Sequence, residues 1–483
     1  MQFKRVFASL VCAGALHWHM PVLAQGSFNL PDLGTSASQA LSIEKEQAIG
    51  DVLMMQVRSR AGFFQDPVLD EYLTSIGNRL VANADDVRFP FRFFWIKNTD
   101  INAFAFYGGH VGVHTGLIAQ SDNESQLASV LGHEIAHVTQ RHLARRIQNQ
   151  QQNSAMTVAG LIAGLLTTIV VPDAGMAILS ASQTQSALET LSHSRKAEQE
   201  ADRFGMKTLQ SAGFDPYASS EFLTKLAEQM RYKDKPPAFL LTHPLPDSRI
   251  SDVRLRAEQY EKTYVPSSLN FALAKARIIA RYQYESHESE QYFRSALERS
   301  TAIDNRDLEY GLALTLLDQK KLADASTLLK KLRKEDPNNL FYLDTQTDLL
   351  IAQGRAKEAV TVLTAIHDLR PNNQVITLNL AHAAIEAKEY EQALQILKVF
   401  LLEKPDHHLA KELLVSVYEA QENRAAYHEA KADLLVQYGA YMKAADEIQK
   451  ALNHVEEKEE IKQQRLKALL SQYRQMQKAL AKL

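Results

Sequence analysis

A single cysteine, Cys12, occurs in 483 residues, so no disulfide framework can staple this chain and stability must come from packing. Glycine and proline are sparse, at 19 and 14 residues, which excludes collagen-like and low-complexity architectures. No charge of one sign dominates either. Lys and Arg total 54 against 57 Asp and Glu, and a net charge of −3 excludes a strong global field toward nucleic acid or an anionic membrane. No nucleic-acid partner is therefore expected. Spanning a bilayer takes about 20 apolar residues, whereas the best internal candidate, 156–171, is an uncharged run of 16 residues that includes threonine and glycine. What is present is 45% hydrophobic and 23% charged, which argues against wholesale disorder. At roughly 150 residues per domain, the length predicts about two or three domains.

The first 24 residues read as a secretory signal. Lys4 and Arg5 form a positive start, Val6 to Leu16 an apolar stretch, and Val22-Leu23-Ala24 a cleavage region ahead of Gln25. Cleavage near Ala24 would leave an exported chain without a thiol, so redox regulation is not expected. The segment 25–264 has a mixed pattern. Asp66-Pro67 marks a helix start, with a capping side chain followed by proline at the first helical position. Phe91, Phe93 and Trp95 alternate with Arg92, Phe94 and Ile96, which predicts a strand buried largely on both faces. Ala103 to Tyr107, the Gly108-Gly109 turn and Val111 to Leu117 predict a hairpin.

Over 265–483 the strand signals vanish and the sequence repeats. Pro337, Pro371 and Pro405 stand 34 residues apart, each preceded by alanine at a distance of 12 (Ala325, Ala359, Ala393) and by a small residue at 24 (Ala313, Thr347, Ala381). The alanine lets two helices approach closely, and the proline ends the second helix. This period resembles the tetratricopeptide repeat, a pair of antiparallel helices whose stacking creates a concave surface for peptides or partner proteins. Tyr441-Met442-Lys443-Ala444 matches Tyr390-Glu391-Gln392-Ala393 at a spacing of 51, out of step, and the charged tail from Glu456 reads as a helical cap.

The chemistry lies in His133-Glu134-Ile135-Ala136-His137, within a helix marked by the apolar stripe Leu127, Val130, Leu131, Ile135 and Val138. Ser121 and Glu124 predict a capping box at its start. Residues four apart share a helical face, so both imidazoles can bind one Zn²⁺ with Glu134 beside them. Glu198 and Asp202 repeat the spacing on a second predicted helix. A catalytic zinc needs a third protein ligand, which Glu198 can supply, while Asp202 can orient a histidine. Glu200 is a rival by composition but points elsewhere if Glu198 faces the metal.

Together, H-E-x-x-H and E-x-x-x-D resemble the M48 family of zinc metallopeptidases. The resemblance extends over most of 40–255 and includes Asn102-Ala103-Phe104-Ala105, Gly108-Gly109, Thr115-Gly116-Leu117 and Thr242-His243-Pro244, with Tyr107 departing from the proline expected before the paired glycines. It implies a mainly helical, zincin-like α+β domain with a small sheet, followed here by the all-α repeat solenoid. It also implies one zinc per chain on His133, His137 and Glu198, with Glu134 as general acid and base and Asp202 behind the ligands. Asn102, Ala103, Phe104 and Ala105 would hold substrate along a sheet edge. His243 is either an oxyanion donor or a fourth ligand that keeps the enzyme latent, and Arg249 assists the same site. His110, His114, His142 and His193 lack ligand spacing and read as surface or packing residues.

Between the two metal motifs, about 155–182 reads as an apolar helical hairpin that touches lipid or substrate, or is simply buried. The signal, peptidase domain and repeats together resemble the periplasmic members of the family. They imply an endopeptidase that degrades stalled or misassembled outer-membrane proteins and promotes their assembly. The implied partners are the β-barrel assembly machinery and the lipopolysaccharide-transport barrel. A rival expectation is a chaperone or adaptor that works through its repeats while the protease stays latent.

Overall fold

The computed structural model describes residues 41–60, 62–153, 194–232, 238–262, 264–456 and 458–480. The predicted signal, the predicted hairpin at about 155–182 and His193 lie outside these residues. No helix among the described residues is long and apolar enough to cross a membrane.

The first part opens with α1 (Ile43–Arg60), β1 (Phe63–Phe64) and α2 (Pro67–Val81). As the sequence predicts, Asp66 caps α2, its side chain accepting from the Leu69 N–H, and proline occupies the first turn. A four-stranded sheet follows, in the order β1, β2 (Arg92–Ile96), β4 (His110–His114), β3 (Ala103–Phe106). β2 and β4 run parallel, with Arg92 opposite His110, while β3 and β4 form the predicted antiparallel hairpin, with Ala105 opposite Val111. β3 is therefore an edge strand. At the turn, Gly108 and Gly109 have φ of 76° and 81°, and a Cβ on Gly109 would lie 2.6 Å from the Pro90 carbonyl oxygen.

One local expectation is narrowed and another changes. Arg92 is exposed and Phe93 half-buried, so β2 is buried on both faces only from Phe94 to Ile96. The hairpin's second strand stops at His114 and becomes α3 (Thr115–Gln120), because β2 ends opposite His114 and offers no further ladder. Gly116 N–H instead donates to the Asn98 carbonyl at 2.9 Å.

α4 (Glu124–Thr139) runs through the middle, buried from Ser125 to Thr139. The predicted capping box is absent. Asn123 caps the helix by accepting from Gln126 N–H, Ser121 Oγ donates to the Leu117 carbonyl, and Glu124 accepts from Tyr72 and Ser268. The side chain nearest the first free N–H groups wins. Then come α5 (His142–Asn153), α6 (Arg195–Ser211), α7 (Tyr217–Tyr232), α8 (Ala238–Thr242), α9 (Asp247–Ala257) and α10 (Leu269–Ile278).

Helix pairs follow. First helices begin at Arg306, Leu340, Gln374 and His408, and second helices at Leu322, Ala356, Tyr390 and Arg424, all at the 34-residue period. Ala325, Ala359 and Ala393 are buried where the helices meet, as expected. The period continues one pair beyond the three prolines' spacing, into 408–436. The helices Tyr441–Leu452 and Glu460–Leu480 close the array around Ile448, Leu466 and Tyr473.

The two parts share one hydrophobic core, which runs from Val68 and Leu73 through Phe271 to Tyr310, Phe341 and Val375. Arg277 on α10 reaches both Asp66, at 2.6 Å, and Asp344, at 2.8 Å. At the far end of the array, His408 meets the Phe63 ring edge-on and Tyr441 OH lies 3.6 Å from Met55 Sδ. The repeats thus touch the catalytic part at both ends.

Candidate active site

α4 and α6 cross at two glycines. A Cβ on Gly205 would lie 3.0 Å from the backbone of Gly132 and His133, so only glycine lets α6 bring its carboxylates onto the α4 histidines. Gly205→Ala is expected to cost about 1–3 kcal/mol by overpacking and to weaken metal binding; thermal unfolding and metal content check both.

At this crossing, donor atoms of His133, His137, Glu198 and His243 all lie within 4.8 Å of one another, and all four residues are buried. The Nε2 atoms of His133 and His137 are 2.9 Å apart, and Glu198 approaches them at 3.4 and 3.3 Å. His243 Nδ1 is 3.1 Å from Glu198 Oε1 and 3.3 Å from His133 Nε2. The Phe239 ring stacks on His243 with centroids 4.3 Å apart, while the Phe239 N–H donates to the Ile101 carbonyl just before β3. α8 therefore lies beside the strand whose N–H at Ala105 hydrogen-bonds Glu134.

The other sequence-predicted residues divide by role. Asp202 Oδ1 is 2.9 Å from His133 Nδ1 and fixes a proton there, leaving the Nε2 lone pair aimed at the shared point. Arg249, rather than facing open solvent, is buried beneath the cluster. It binds Asp202 through Nε and Nη2 at 2.7 and 2.8 Å, and Nη1 lies 2.6 Å from Glu198. Ala103 and Ala105 lie along the edge strand, whereas the Phe104 ring packs with Phe94 and Phe106. Asn102 accepts the His114 N–H through its backbone carbonyl at 3.1 Å. His110 and His114 are buried packing residues.

Electrostatics favour a cation. Burial lowers His133, but hydrogen bonds to Asp202 and Glu198 outweigh it and raise it to about 9. Burial likewise raises Glu198, yet His243 and Arg249 hold it well below the carboxylate range. Glu134 is pushed up by burial, against the pull of His243 and His133. Two imidazoles, a carboxylate and a third imidazole with converging lone pairs suit a transition-metal ion. The donor chemistry fits the metal that H-E-x-x-H implies.

The sequence model of peptidase family M48 matches residues 67–257, and that of the tetratricopeptide repeat matches 350–416. The chain is 39% identical to the β-barrel assembly-enhancing protease of Escherichia coli (strain K12), over 98% of this chain and 97% of that protein. It belongs to the M48 peptidases. A putative β-barrel assembly-enhancing protease of Vibrio cholerae is 40% identical over 88% of each chain. The mitochondrial metalloendopeptidase OMA1 of Bos taurus is 36% identical over 31% of this chain and 29% of that protein. This M48 peptidase is accordingly a metalloendopeptidase.

Two residues that sequence reasoning set aside border the M48 centre. His142 is not at the surface; its Nδ1 lies 2.8 Å from the Nδ1 of His137. Glu200 points away from the donors, as expected, and meets His142 and Arg145. Neither stands at a ligand spacing, which is why the motif alone does not single them out.

Proposed function

We propose that this chain is a periplasmic zinc endopeptidase, resting closed under His243. It degrades misassembled or stalled outer-membrane proteins and assists assembly of outer-membrane β-barrels, including the lipopolysaccharide-transport barrel. A relative named for enhancing β-barrel assembly, aligned over 98% of the chain, supports the link to outer-membrane assembly. The repeats would contact the assembly machinery. The observation that carries the closed state is His243 among the donors of His133, His137 and Glu198.

In this mechanism His133, His137 and Glu198 hold zinc, with Asp202 fixing the His133 tautomer and Arg249 holding both acidic side chains. Bound by these residues, zinc would supply Lewis acidity toward the scissile carbonyl and the attacking water. An extended substrate adds a strand along Ala103–Ala105. Glu134 takes the proton of the attacking water and delivers it to the leaving amine as the C–N bond breaks. α8 lies beside that strand, so substrate entry requires the His243 segment to move.

A closed state favoured by about 1.4 kcal/mol holds activity down about tenfold. His243→Ala is therefore expected to cleave unfolded casein at least about tenfold faster than wild type with unchanged zinc content. Slower cleavage would make His243 an oxyanion donor and remove the closed-state reading. The burial of all four donors also supports the second reading, a chaperone or adaptor acting through the repeats. Full rescue of outer-membrane assembly by Glu134→Gln in cells would favour it over degradation.

A further inference from the structure

The two metal-binding histidines are braced differently. His133 rests its Nδ1 on a carboxylate, Asp202, but His137 rests its Nδ1 on a second imidazole. His142 is buried, and the two rings stand edge to face, with centroids 4.8 Å apart at 74°. Two ring nitrogens 2.8 Å apart share one proton.

The surroundings decide which ring carries it. His142 Nε2 lies 3.3 Å from Glu200 Oε2, and an ionised carboxylate can only accept. Arg145 Nη2 sits 2.8 Å from the same oxygen and keeps Glu200 ionised without leaving a bare negative charge beside His142. The His142 proton therefore resides on Nε2, and its Nδ1 presents a lone pair. His137 then donates from Nδ1, which leaves its own Nε2 lone pair facing His133 Nε2 at 2.9 Å and Glu198 Oε1 at 3.3 Å.

The backbone is bent to make this contact. On a continuous helix, a residue five positions after His137 would point to another face. Arg141 breaks α4 from α5 in the left-handed region, at φ 52°, an uncommon conformation for a residue with a side chain. Its guanidinium is buried, with Nε 2.8 Å from Glu46 and Nη2 2.7 Å from the Leu41 carbonyl. That anchorage supports a reversal that folds His142 back over His137.

We infer that His142 is a positioning residue of the metal centre, an imidazole whose Nδ1 accepts the hydrogen bond from His137 Nδ1–H and so aims His137 Nε2 at the metal, with Glu200 fixing the His142 tautomer. α6 then carries one donor, Glu198, and sets both histidines, His133 through Asp202 and His137 through Glu200 and His142. The inference rests on the metal-centre reading above.

The test uses the full exported chain and measures Zn²⁺ affinity by chelator competition, with the visible spectrum of the Co²⁺ form as a second readout. His142→Leu is expected to bind Zn²⁺ about 10–100-fold more weakly and to shift the Co²⁺ bands, while the metal-free protein melts as wild type does. His142→Asn keeps an acceptor near Nδ1 and is expected to recover most of the affinity. Binding by His142→Leu within about twofold of wild type would overturn the role, as would equal losses in Leu and Asn, which report packing alone. Should His142→Leu fail to fold, Glu200→Ala serves, with at least about threefold weaker Zn²⁺ binding expected and no change overturning the inference. Absence of Zn²⁺ binding in wild type would instead remove the metal-centre reading itself.

Discussion

Glu134→Gln is expected to retain the metal and lose about 10²–10⁴-fold in cleavage rate, the span of a general acid–base contribution. Glutamine fills the same volume and can keep the bond from the Ala105 N–H, so the strand beside it stays in place. It cannot accept a proton from water. Glu134 is fully buried, and its Oε1 has no hydrogen-bond partner among the described residues, although His243 Nε2 stands 3.4 Å away. A buried carboxylate held above its ordinary pKa is a stronger base once ionised than one at the surface. The comparison is best made on a His243→Ala background, since a closed wild type would compress the difference. Cleavage within a few-fold of that parent, with metal content equal, would remove Glu134 from proton transfer. Loss of the metal would give it a structural role instead.

The parts of this site legible in the sequence repeat at helical spacing. His133 and His137, then Glu198 and Asp202, each stand four apart, so a face could be read before any fold was known. The repeats were legible for a similar reason: each unit reuses the same alanine and the same stop. What the sequence hid depends on chain reversals and distant partners. His142 reaches His137 only because Arg141 turns left-handed, and that turn is held by Glu46, 95 residues away. Arg249 was expected near the site by resemblance, but its place beneath Asp202, across 47 residues, has no local pattern to announce it. The hairpin's second strand lost its last residues to α3 because its parallel partner β2 ends at Ile96, a fact about the neighbour rather than about Thr115 to Leu117.

Arg277→Ala is expected to cost about 3–5 kcal/mol, the penalty for removing one partner of a buried ion pair. The guanidinium is buried with Asp66 at 2.6 Å, Asp344 at 2.8 Å and the Tyr310 hydroxyl at 3.0 Å. Burial alone would lower its pKa, but Asp344 and Asp66 outweigh that and hold it well above the ordinary value, so the group stays charged. Alanine would leave two carboxylates without their shared cation. Asp66 also caps α2, and Asp344 lies on the helix 340–352, so one residue ties the start of a catalytic-part helix to the repeats. Methionine in its place separates packing from charge: it restores volume and leaves the acids unpaired, so it should recover little. Because one core cluster joins the peptidase part to the first repeats, the loss should appear as a single lowered unfolding transition, read by calorimetry. Two separated transitions, with the peptidase part unchanged, would mean that the repeats are docked rather than built in. In that case movement of the array could reach His243 only through flexible contacts. A single transition instead makes any partner pulling on the repeats act on the same core that supports α4, and therefore on the metal donors.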